Sequence, residues 1–205
     1  MDRGILYSLK ELMLRPGRLM RDYINGRRGH QAKPMLMLMV MAAVVVILSK
    51  YLAGASMASE GGSGMPVDKA LLDKAARMAA DLMNQYFAVF TLLLLPLEAA
   101  AFRLAFHRVG NLNYPEWLVI TALLTVQTFV FWAVLVVLHR WIPQPEAWLM
   151  LLSVAYAMFS LVQFFQGYPR WKSVLRTLLG LAIFAVMSMV FSQVVAILLV
   201  MSMRA

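Results

Sequence analysis

The strongest constraint on this chain is a set of five apolar runs, each about as long as a bilayer is thick. A helix needs about 20 apolar residues to cross the hydrocarbon layer. Pro34 to Leu52, Tyr86 to Phe106, Glu116 to Leu138, Glu146 to Phe165 and Ser173 to Met203 meet or approach that length. Prolines at or near the ends (Pro34, Pro66, Pro115, Pro143, Pro145 and Pro169) punctuate the runs. A missing N–H is tolerated at those places and costly in a helix interior. Backbone groups in lipid must pair within their own segment, so the runs predict helices. The expected fold class is all-α integral membrane, with five transmembrane helices behind an N-terminal amphipathic interfacial arm. Residues 1–33 are the arm, and residues 34–205 the transmembrane domain with an outer loop and helix at 53–85.

Composition then narrows the chemistry. The chain has 205 residues, 62% hydrophobic and 14% charged. Soluble domains average about 25% charged. These values exclude a disordered chain, a disulfide scaffold and an ordinary soluble enzyme. There is no cysteine, which removes disulfides, thiol nucleophiles, iron–sulfur ligation and thiolate zinc sites. The three histidines, His30, His107 and His139, are far apart. The 17 methionines scatter around their helices, as lipid-facing packing does. No phosphate-binding, dinucleotide, zinc-protease or serine-hydrolase motif is present. No catalytic, cofactor or metal residue is assigned, and the chain is read as not an enzyme.

Charge sets orientation. Residues 1–33 hold eight basic and three acidic side chains. The arm runs straight into an apolar segment, which favours anionic lipid over nucleic acid as its partner. With the N-terminus inside, thirteen Lys/Arg fall on the inner side and six on the outer, as the positive-inside rule requires. No cleavable signal peptide precedes the first run, so that run is expected to stay as an anchor. Trp117, Trp141, Trp148 and Trp171 fall at predicted span ends, where indole rings favour the headgroup zone, and Trp132 lies deeper.

The arm itself reads as two short amphipathic helices. Ile5, Leu6, Leu9, Leu12 and Met13 form one apolar stripe, and Leu19, Met20, Tyr23 and Ile24 the other. Pro16 suits the first turn of the second helix and Gly26 its C-terminal cap. Such helices lie in the membrane interface. Arg15, Arg18, Arg21, Arg27 and Arg28 are then candidate contacts to anionic lipid headgroups.

Two stretches carry a family resemblance. The arm has Arg15-Pro16-Gly17, then Tyr23, Gly26 and Arg28. The second span has Pro96, Ala99, Arg103, Leu104 and Phe106, followed by Tyr114 and Glu116. Together they resemble the bacterial membrane family catalogued as domain of unknown function 3667, over roughly residues 6–130. Many members begin with a cysteine zinc ribbon, which this chain lacks, and the histidine that follows the family's glutamate is Trp117 here. The resemblance implies a bacterial inner-membrane location and no activity, and the charge count makes the C-terminus periplasmic. A weaker, architectural likeness runs to five-span Yip1-type proteins.

Within the spans a few polar side chains stand out. Glu98 sits in an apolar run two residues after Pro96, and an ionisable group at membrane depth is a functional candidate by default. Gln127, Gln163 and Gln193 lie near the middle of three other spans and could converge with it. Interhelical glue is the competing role for these amides. Arg103 and Glu116 form a candidate ion pair across the short inner loop. Ser188, Ser192 and Ala196 repeat at four-residue spacing, which permits close helix contact. The expected function is a non-enzymatic subunit, scaffold or assembly factor, bound to a membrane-protein partner or to copies of itself. The alternative is a small oligomeric transporter or channel built around Glu98.

Overall fold

A computed structural model of the chain describes residues 4–27, 32–52, 87–107, 109–138 and 145–204. Seven helices and no strand occur among them. They are α1 (Ile5–Leu14), α2 (Pro16–Ile24), α3 (Pro34–Leu52), α4 (Phe87–Ala105), α5 (Tyr114–Leu138), α6 (Pro145–Phe164) and α7 (Arg170–Arg204). Pro16, Pro34 and Pro145 each occupy the first helical position, where φ is already helical and no N–H is lost. The loop and helix expected at 53–85, and Arg28 and Trp141, lie outside the described residues.

The arm forms its two helices as its stripes predict. Gly26 ends α2 at φ +80°, with Gly26 N–H donating to Tyr23 O at 3.2 Å and Arg27 N–H to Asp22 O at 2.8 Å. That pair of reversed bonds satisfies the last carbonyls and needs a left-handed residue, which glycine adopts without strain.

Tyr114–Leu138 and Arg170–Val194 are each long and apolar enough to cross a membrane, and Pro34–Leu48 and Trp148–Phe164 are shorter apolar helices. The two long ones differ in surroundings. In α5, 67% of the most apolar window is buried, and in α7 only 11%. Helix α5 is the centre: α3, α4 and α6 pack on it, and α1 and α2 reach it. Among the described residues, helix α7 packs mainly on α4 and α6. Gly180 makes the α4–α7 contact possible, since a Cβ there would stand 2.7 Å from the Phe102 ring.

An aromatic cluster ties α4, α5 and the end of α6 together. The Trp117 ring lies 6.1 Å from Phe102 and 5.3 Å from Phe106, and Phe106 stacks on Phe165 at 4.9 Å. Trp117 is 1% exposed. Its position at a span end predicted an interfacial ring, but the neighbouring rings enclose it. Trp148 and Trp171 are exposed at 51% and 68%.

Candidate functional site

The arm carries the first surprise. Its apolar face, Leu6 apart, is not left for lipid. Leu12, Leu19 and Met20 are buried in the common core, and α2 packs along α6. The two helices meet at a corner, Arg15-Pro16-Gly17. Gly17 lies against the backbone of α6 at Gln163 and Phe164. The stripe expected to face the membrane surface meets helices instead, because α5 and α6 offer side chains for the polar groups that the corner leaves open.

Those groups are the last carbonyls of α1, which have no partner within their own helix. The Tyr156 hydroxyl donates to Met13 O. Gln127 Nε2 donates to Leu12 O at 3.5 Å, and the Ser160 hydroxyl donates to Gln127 Oε1 at 3.2 Å. Arg21 returns the favour at the other end. Its Nη1 donates to Gln163 O, and to Phe164 O at 2.9 Å. A guanidinium at the negative end of a helix dipole both caps and neutralises it. The Ala32 N–H, just before α3, donates to the buried Ser8 hydroxyl at 2.9 Å.

Three of the arm cations are engaged within the chain. Arg18 and Arg27 each lie 3.8 Å from Asp22, and Arg21 holds α6. Arg15 is exposed at the corner. Leu6 and Leu14 are exposed too, at 82% and 63%, on the outer side of α1.

The four polar side chains expected within the spans do not form one cluster. Gln127 is buried between α1 and α6. Gln163 is half-buried and contributes its backbone to the arm. Gln193 is exposed on α7, which takes it out of any shared core. Glu98 is half-buried on α4, with its Oε2 3.4 Å from the Thr125 hydroxyl of α5. That hydroxyl also lies 2.9 Å from Thr121 O. A threonine hydroxyl has one hydrogen, and the shorter contact takes it.

The Arg103–Glu116 pair does not form. Glu116 Oε2 instead accepts the Asn113 N–H at 2.7 Å, a side chain turned back to close the first turn of α5. Arg103 is exposed on α4. Among the described residues no three His, Asp or Glu side chains gather.

Sequence reasoning missed Tyr156, Ser160 and the capping role of Arg21. Gly17 was the available signal, because glycine within a helix costs about 1 kcal/mol and so points to a close approach.

Residues 2–46 match a family described as Protein of unknown function (DUF3667). The chain is similar to that family over the arm and the first part of α3, and the second stretch of the resemblance, Pro96 to Glu116, falls outside the matched residues. No curated protein and no solved structure matches.

Proposed function

We propose that this is a five-span protein of a bacterial inner membrane, N-terminus cytoplasmic and C-terminus periplasmic. It acts without catalysis, as a subunit, scaffold or assembly factor for other membrane proteins. Two helices of crossing length support the spans. Helices α3, α4 and α6 have 19, 19 and 20 residues, or about 28–30 Å at 1.5 Å per residue. That is close to the roughly 30 Å hydrocarbon layer. The excess of inner cations supports the orientation.

The observation that carries the scaffold reading is the contrast between α5 and α7. The polar groups described around α5 bond within the chain: Gln127 to Ser160 and Leu12, and Thr121 and Thr125 to carbonyls of their own helix. Helix α7 instead turns Val186, Met189, Val190 and Val194 outward, with Ser188 and Ser192 at one-turn spacing beside them. Small residues in such a stripe let a second helix approach closely.

Two experiments test this. The chain has no cysteine, so each introduced one is a unique label. Ser63→Cys and Ala205→Cys should react with an impermeant maleimide from outside, and Arg27→Cys only after permeabilisation. A reversed pattern would overturn the orientation. Purification of the full chain in mild detergent should then retain a membrane protein in fixed ratio. A partner-free homo-oligomer would favour the transport reading, which the Glu98–Thr125 contact supports. Under that reading Glu98→Gln abolishes pH-dependent flux in proteoliposomes while expression holds.

A further inference from the structure

Cations at the inner end of a membrane protein fix its orientation, hold a headgroup, or do both. In the arm, Asp22 and α6 take Arg18, Arg27 and Arg21. A second basic group lies at the start of α7, where it meets the end of α4. Arg176 is pinned there, with Nη1 3.3 Å from His107 O and its guanidinium 5.5 Å over the Tyr168 ring. Lys172 stands one turn earlier on the same face, and Arg170 opens the helix. Among the described residues the ion pairs join only Arg18 and Arg27 to Asp22. Glu116, on the neighbouring α5, is turned to its own helix start.

Among the described residues no acidic side chain pairs with Lys172, which leaves it open to an anion. Lys172 and Arg176 are like charges at i and i+4, which repel. They stand in the first two turns of α7, where the helix dipole is positive and no acidic side chain occupies the first turn. The same stripe then changes character. After Lys172 and Arg176 it continues through Leu179, Ile183, Val186 and Val190, and Leu179, Val186 and Val190 are more than half exposed. From Arg176 to Val190 the stripe is about 21 Å long at 1.5 Å per residue. It thus presents a cationic head, held at Arg176, and an apolar track running away from it.

We propose that this face of α7 binds one anionic phospholipid of the inner leaflet, its phosphodiester between Lys172 and Arg176 and an acyl chain along Leu179 to Val190. The site rests on the five-span reading and deepens it, moving the lipid contact from the arm to α7. The free headgroup lacks the chain that the apolar track would hold, so the lipid is the fitting occupant.

The test uses the full chain in mild detergent, with phosphatidylglycerol or phosphatidylcholine of the same chains added and retained lipid counted by native mass spectrometry. The expected result is one phosphatidylglycerol held in preference. Lys172→Gln, which removes a side chain free of the α4 contact, should weaken that retention about fivefold, the ratio to which roughly 1 kcal/mol per surface cation converts. Lys172→Gln with Arg176→Gln should weaken it further, and Arg18→Gln with Arg27→Gln should leave it unchanged. Equal retention in wild type and Lys172→Gln would overturn the site, as would full competition by glycerol phosphate. Alkaline carbonate extraction separates the two readings. Protein that stays in the membrane but lacks the lipid preference overturns the site alone, and protein that is released overturns the spans.

Discussion

Gly17→Val should release the arm from the helices it is docked on. A Cβ at Gly17 would stand 2.5 Å from Phe164 N and inside contact distance of the Gln163 backbone. Backbone in the last turn of a packed helix cannot move aside as a flexible side chain can. Overpacking costs roughly 1–3 kcal/mol even where neighbours give, and here α2 must move as a unit. Moving α2 withdraws Arg21 from Gln163 O and Phe164 O. Charged hydrogen bonds contribute about 1.5–3 kcal/mol each, so the losses compound. Ser8→Cys provides the readout, because Ser8 is fully buried and the chain is otherwise free of cysteine. Its maleimide labelling should accelerate at least about tenfold when Gly17→Val is added, a ratio that about 1.4 kcal/mol of easier opening produces. Gly4→Ala is the control, since nothing lies within 4 Å of a Cβ there. Unchanged labelling would mean that the arm is not seated through Gly17.

The helices were legible in the sequence because lipid-length apolar runs and boundary prolines are local signals. Expected and observed ends differ by at most three residues: Tyr86 to Phe106 became Phe87–Ala105, and Glu116 to Leu138 became Tyr114–Leu138. The partners of each face were not legible. The stripe of Leu9, Leu12, Leu19 and Met20 shows that the arm has an apolar side, and either lipid or protein could cover it. What decides is non-local: Arg21 reaches carbonyls more than 140 positions later, and Gln127 a carbonyl 115 positions earlier. Gln127 was singled out as a mid-span amide, yet its partners belong to the arm and α6, not to Glu98. Glu116 shows the opposite failure. A charged neighbour across a loop suggested an ion pair with Arg103, but the local bond to the Asn113 N–H holds its carboxylate. Apolar runs located the helices far better than their contacts, because a run constrains a segment and packing constrains pairs.

Trp117→Ala should be the most damaging single truncation in the described core. The indole is enclosed by Phe102 and Phe106 of the α4 end and by Phe165 after α6. The ends of α4 and α6 meet α5 through this one side chain and its neighbours. In a bilayer, apolar helices gain little by hiding from lipid, and what holds them together is close packing. A hole at the meeting point therefore removes dispersion contacts that nothing replaces. Removing an aromatic side chain from a packed core costs about 3–5 kcal/mol, a large part of the 5–15 kcal/mol that holds a typical domain together. Trp117→Phe keeps a ring in the stack and should recover most of the loss. The measurement is thermal denaturation of the purified full chain in mild detergent, followed by monodispersity. Trp117→Ala should fall by well over 5 °C, a shift that about 3 kcal/mol produces even in a chain of this length, with Trp117→Phe close to wild type. If both variants matched wild type, Trp117 would be a headgroup anchor, as its place at a span end suggested, and the aromatic stack would not be what joins α4 and α6 to the central helix.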